Sequence, residues 1–216
     1  MIADDMQCNA RNYHYGQIYE DSSHCDLSED LFIDYLGEDV SLSTFLNLLL
    51  DNLPSSLSSK RKLYSNENST LLLFLNGHGG DGFFKFRERE ELNSHILWNV
   101  LFQMFKMKRY GQVMIMIDTC QASSLIPKDL PPNSIFLASS SVGEESYSHG
   151  FDYHYGLPTK DRFVTSLMRS LKECDSHSFI DGATILDKYF NYRIMQSTVI
   201  WRSSVYPPSF CSFFGY

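Results

Sequence analysis

The sequence predicts an α/β fold in which a mostly parallel sheet is covered by helices. Two short, continuous apolar runs carry this reading, Thr70–Asn76 and residues 113–117, with a stretch of helical periodicity between them. An uninterrupted run of this length, the first of them closed by Gly77, suits a strand buried on both faces. Between the runs Leu97, Val100, Leu101, Met104 and Phe105 recur at helical spacing. Glu90 and Glu91 precede them, Lys106, Lys108 and Arg109 close the segment, and Gly111 stops it. Strand, helix, strand is the right-handed crossover unit, whose loops gather at the C-terminal edge of the sheet, where ligands bind.

The alternation continues. Ser134–Ala138 is a third apolar run after the Pro131-Pro132 turn, and Phe163, Val164, Leu167, Met168 and Leu171 mark one face of a following helix. Residues 43–50 and 181–190 read as further helices, 198–201 as a late strand, and 1–3 as the stub of another strand. No internal repeat and no Pro- or Ser-rich linker interrupts the chain, so residues 1–216 are expected to form a single domain.

Composition excludes several functions. With 43% hydrophobic and 20% charged residues the balance is that of an ordinary globular protein, and a formal net charge of -8 repels phosphate backbones. Nucleic acid is not an expected partner, since the densest basic run is only Lys60 to Lys62. The most apolar stretches, 71–75 and 113–117, fall far short of the roughly 20 residues a membrane helix requires. Met1 leads directly into Ile2, Ala3, Asp4 and Asp5, without the basic start and apolar run of a signal peptide. Cys8, Cys25, Cys120, Cys174 and Cys211 lack the paired spacing of a zinc site, and no metal or cofactor is expected. In a secreted chain their odd number would leave one thiol free or joined to another protein, and Asn68-Ser69-Thr70 would be a glycosylation acceptor.

Two motifs stand at the ends of the crossover strands. Gly77-His78-Gly79-Gly80-Asp81-Gly82 follows the first, and Asp118-Thr119-Cys120-Gln121 ends the second. Neighbouring strands lie about 5 Å apart, so the crossover delivers an imidazole and a thiol to one cleft. A thiolate attacks a carbonyl, an imidazole handles protons near neutral pH, and backbone N–H groups stabilise the resulting oxyanion. Gly79, whose amide no side chain crowds, and Cys120 itself are the candidate oxyanion donors, with Gly80 in reserve. Either motif alone is more often a tight turn or a buried core thiol; the pair at matching strand ends is far more specific.

Around these residues the chain resembles the catalytic subunits of the glycosylphosphatidylinositol (GPI) transamidases, caspase-like cysteine peptidases related to legumain. The likeness runs from Leu72 to Ala122, through Gly77 to Phe86, Lys108-Arg109-Tyr110 and Met116-Ile117-Asp118-Thr119-Cys120-Gln121-Ala122. It extends to Ala3-Asp4-Asp5-Met6-Gln7-Cys8-Asn9 and to Ala138-Ser139-Ser140-Ser141-Val142-Gly143-Glu144-Glu145-Ser146 with Ser148-His149. It implies a caspase-like three-layer sandwich, with Cys120 as acyl carrier and His78 as proton handler. It further implies cleavage of a proprotein's C-terminal signal and transfer of the acyl group to the ethanolamine amine of a GPI lipid. It places the chain in a membrane complex on the lumenal side of the endoplasmic reticulum, with partner subunits, one of them disulfide-linked through Cys8. Ser139, Ser140 and Ser141, which follow the third strand, are expected to line the pocket for the small residue at the cleavage site, although a serine-rich turn is an equal alternative. Glu144, Glu145 and His149 lie at the cleft edge without an expected catalytic role.

The pattern also breaks. The family domain opens with a strand followed by an asparagine that assists the histidine, and neither precedes Met1. In the family that strand is central, so its loss would expose about five aliphatic side chains at ~1.5–3 kcal/mol each, comparable with a net stability of about 5–15 kcal/mol. The expectation is therefore that the natural product begins upstream of Met1. The family's calcium is held by that missing region and by acidic positions matching Phe32 and Asp34; Phe32 is no ligand, so no calcium is expected. The C-terminal membrane helix of many members is also missing, so membrane association would come through partners. A legumain-like endopeptidase and a degenerate, non-catalytic subunit are the competing readings.

Overall fold

A computed structural model describes residues 1–4, 6–19, 26, 32–87, 89–153, 156–174, 182–205 and 210–215. In chain order the elements are α1 (Leu42–Leu49), β1 (Thr70–Asn76), β2 (Gly79–Gly80), β3 (Phe83–Phe86), β4 (Glu90–Asn93), α2 (Ser94–Lys106), β5 (Gln112–Asp118), β6 (Ser134–Ala138), β7 (Ser148–Asp152), β8 (Leu157–Asp161), α3 (Arg162–Leu171), α4 (Gly182–Tyr189), α5 (Tyr192–Met195) and β9 (Ile200–Ser203). The chain divides into two compact units, one of Met1–Leu63, Phe86–Glu90 and Gly150–Thr159, the other of Tyr64–Lys85, Glu91–His149 and Lys160–Tyr216.

The second unit contains the main sheet, ordered β1-β5-β6-β9. The first three strands are parallel and β9 runs antiparallel to β6. Strands β5 and β6 each lie between two neighbours, and from Val113 to Asp118 and Ser134 to Ala138 every residue is buried. Met114 and Met116 of β5 and Ile135 and Leu137 of β6 pack against Phe163 and Leu167 of α3 and Ile185 of α4. Strand alternation turns Val113, Ile115 and Ile117 to the opposite face. The crossover helix α2 buries Leu97, Val100, Leu101 and Met104, and its start is fixed by Asn93, whose side chain accepts from Ile96 N at 2.9 Å. The α/β class read from the sequence is the observed one.

Strand β1 differs from expectation. Its apolar run predicts burial on both faces, yet Leu72 and Phe74 are 37% and 41% exposed. Among the described residues β1 pairs only with β5, so it lacks the second neighbour that β5 and β6 have. Phe74 still stacks on Phe163 of α3, with ring centroids 6.2 Å apart.

Other boundaries shift modestly. The late strand begins at Ile200 rather than 198, and the expected helix 181–190 is observed as Gly182–Tyr189, its predicted first residue, Asp181, lying outside the described residues. The sequence reading missed two small sheets, β2-β3-β4 and β7-β8. It also missed a disulfide between Cys174, just beyond α3, and Cys211, with Cα atoms 5.5 Å apart. Cys25 lies outside the described residues.

In the first unit, the Ser41 side chain caps α1 by accepting from Thr44 N at 3.0 Å, and Phe45 packs on Phe86 at 5.2 Å. The strand expected at residues 1–3 is a single parallel bridge, Ile2 to Leu36, held by Ile2 N donating to Tyr35 O at 3.0 Å.

Candidate active site

The parallel register of β1 and β5 sets Asn76 opposite Asp118, and Gly77 N donates to Asp118 O at 3.1 Å. His78 and Cys120 each follow two residues after this matched pair, so they leave adjacent strand ends on the same edge of the sheet. His78 is exposed and Cys120 half-buried. No hydrogen bond joins their side chains among the described residues.

The two loops nevertheless touch. A Cβ on Gly79 would stand 2.6 Å from Phe83 O and 2.6 Å from Thr119 Oγ1, so only glycine lets the backbone after His78 lie against the residue before Cys120. Ser124 ties the loops a second time: its Oγ accepts from Gly82 N at 2.8 Å and donates to Gly80 O at 3.1 Å.

The turn that carries Cys120 is held from below. Gln121 adopts the left-handed conformation (φ 55°, ψ 33°), with its N–H donating to Glu144 O at 2.8 Å and its Oε1 accepting from Gly143 N at 3.1 Å. Ser140 Oγ accepts from Ala122 N at 3.0 Å and donates to Thr119 O at 2.8 Å; Ser139 Oγ donates to the same carbonyl at 3.4 Å. Ser139 and Ser140 are fully buried beneath the turn, whereas Ser141 is half-buried. The serines read from the sequence as pocket-lining thus include two whose hydroxyls fasten the Cys120 turn.

Glu144 joins this turn to the segment before β9. Its carboxylate accepts from Ser141 N at 3.0 Å, Thr198 N at 2.7 Å and Thr198 Oγ1 at 2.9 Å. Burial pushes the carboxyl pKa up, but hydrogen bonds from Thr198 and Ser141 outweigh it and hold Glu144 below the usual range.

Next to the cysteine loop lies a carboxyl pair that the sequence reading did not assemble. Asp118, 3% exposed, accepts from Ser146 Oγ at 2.6 Å and from Asn76 Nδ2 at 3.1 Å. The same Asn76 nitrogen reaches Asp161 Oδ2 at 3.2 Å, and Ser148 Oγ donates to Asp161 Oδ1 at 3.2 Å. Burial raises the Asp118 pKa above the usual carboxylate range; the Ser146 hydrogen bond opposes this and the Asp161 charge adds to it. The available signal was polar residues, Asn76 and Asp118, closing two apolar strands.

Cys8 is exposed, in a loop where Gln7 Nε2 donates to Gly16 O at 2.7 Å and Asn12 Nδ2 to Gln7 O at 3.1 Å. Phe32 offers no side-chain oxygen to a calcium ion, and the described residues hold no group of three or more His, Cys, Asp or Glu side chains able to bind a metal.

Residues 1–198, which include both loops, match the model of the Peptidase C13 family. The chain belongs to the Peptidase C13 family. Its C13 relatives include the GPI-anchor transamidase of Schizosaccharomyces pombe, 39% identical over 197 residues that cover 90% of this chain and 52% of the relative. The GPI-anchor transamidase of Saccharomyces cerevisiae is 34% identical over 208 residues, covering 95% of this chain and 50% of that protein. The Homo sapiens GPI-anchor transamidase is 35% identical over 183 residues, covering 82% and 46%. This C13 chain therefore spans about half the length of the curated relatives it matches.

Proposed function

We propose that this chain is the catalytic part of a GPI-anchor transamidase, with Cys120 as nucleophile, His78 as general acid and base, and the amides of Gly79 and Cys120 as oxyanion donors. The observation that carries the reading is the β1–β5 register, which sends both loops off adjacent strand ends, in a chain whose relatives bear that activity in their names.

In the first step His78 takes the thiol proton and Cys120 Sγ bonds to the carbonyl carbon at the proprotein's cleavage site. The oxyanion is met by the two amides. Collapse breaks the C–N bond, and the departing amine of the signal peptide takes its proton from His78. A thioester remains. In the second step the ethanolamine amine of the GPI lipid attacks the thioester, passes a proton to His78, and expels the Cys120 thiolate as the new amide forms. No cofactor enters this sequence.

Residues 1–216 would act as one catalytic domain within a complex of further subunits on the lumenal side of the endoplasmic reticulum membrane, one subunit disulfide-linked through Cys8. Among the described residues no helix is long and apolar enough to cross a membrane. Ser141 is the residue of the serine turn best exposed to contribute to a pocket.

Expression of the full protein in cells lacking their own catalytic subunit tests the reading. Wild type restores surface anchoring and Cys120→Ala does not; equal rescue by both would exclude catalysis by this thiol. Partner-independent cleavage of soluble peptides without anchoring would favour an endopeptidase.

A further inference from the structure

We propose that a basic cavity on the exposed side of α3 binds a phosphate oxyanion, either the phosphoryl group of a lipid headgroup or free phosphate. Arg162, Thr165 and Arg169 occupy positions i, i+3 and i+7 of α3 and so share one face. Arg193 and Ile194 of α5 line the same cavity, with His149 of β7. These residues all belong to the second unit.

The charge here is unbalanced. The chain carries a formal net charge of -8, yet among the described residues no carboxylate lines this cavity and none of its three guanidinium groups makes an ion pair. Arg162 Nη1 donates to Ile194 O at 2.9 Å, while its Nε is buried with no hydrogen-bond partner among the described residues. His149 Nε2 and Thr165 Oγ1 lie 2.8 Å apart. Burial, then the charges of Arg162, Arg169 and Lys160, hold the His149 pKa below its usual value, against the opposite pull of Asp161. Three guanidinium groups around one cavity repel each other, and an anion entering it would offset that repulsion. Guanidinium forks match the geometry of phosphate oxygens, and an unpaired N–H is the donor such a ligand would satisfy.

The cavity adjoins the carboxyl pair through the chain itself. Arg162 follows Asp161, and Arg162 N donates to Tyr147 O at 3.0 Å. A phosphate ester of the lipid acceptor could therefore be held beside the strand-end cluster. Only this assignment of source rests on the transamidase reading.

Calorimetric titration of the full protein with inorganic phosphate and with glycerophosphoethanolamine, a soluble phosphodiester, tests the site. We expect one-to-one binding that Arg169→Ala combined with Arg193→Ala weakens at least tenfold, while Lys106→Ala leaves it unchanged. Binding should also raise the His149 pKa in an NMR titration, because an anion favours the imidazolium. Binding of the diester assigns a lipid headgroup as the source, and binding of inorganic phosphate alone assigns the free ion. Absence of binding by both, or binding indifferent to the arginine substitutions, overturns the proposal. Cys120→Ala should bind as wild type does, so a failure of the catalytic reading leaves this test intact.

Discussion

Gly79 is the residue on which the two loops depend most directly. A methyl group there meets Phe83 O and Thr119 Oγ1, each at 2.6 Å, and the first of these is backbone that cannot rotate away. Gly79→Ala should cost about 1–3 kcal/mol in urea denaturation, the usual scale of overpacking, and should slow acylation of Cys120 as the loops separate. Asp118 makes a prediction of opposite character. Its folded-state pKa is raised by burial, so the folded protein binds the proton more tightly than the unfolded chain. Stability through this group should therefore fall as pH rises from the ordinary carboxylate value through the raised one. Thermal unfolding across that window should show the slope in wild type and its loss in Asp118→Asn. Both Cys120 and His78 were legible as residues because each stands in a short polar or glycine-rich motif closing an apolar strand. Ser124 and Asp161 were not, because their partners come from distant loops and no local spacing marks them.

Strands β5 and β6 and helix α2 were legible because a continuous apolar run and a 3.6-residue period are strong local signals. Whether a strand has neighbours on both sides is not a local property, and the apolar run of β1 taken alone overstated its burial. The consequence is measurable. Leu72→Ala on β1, at a side chain 37% exposed, should cost no more than about 1 kcal/mol, whereas Leu137→Ala, fully buried in β6, should cost about 2–5 kcal/mol. The disulfide joins Cys174 to Cys211 across a sequence separation of 37. Closing a loop of that length restricts the unfolded chain by about 4 kcal/mol in the loop-entropy model. Replacing both cysteines with alanine should lower the urea midpoint accordingly, and reduction of wild type should reproduce the change. Pairings between segments of different elements leave no spacing signature, which is why this one was missed.

At the scale of the whole molecule, composition and structure speak to different distances. A formal net charge of -8 argues against a nucleic-acid partner, but an average conceals the three arginines that α3 and α5 bring to one cavity. The disulfide suits an oxidising compartment, in keeping with the lumenal location proposed above. The central claim is that the imidazole of His78 serves the thiol of Cys120 across two strand ends. The most direct measurement is the rate at which a peptide ester acylates Cys120 in the full protein and in its His78→Ala variant, with alkylation by a small neutral reagent as the control for thiol access. The account predicts a loss of at least about 100-fold in acylation with the alkylation rate nearly preserved; acylation at the wild-type rate without His78 would contradict it.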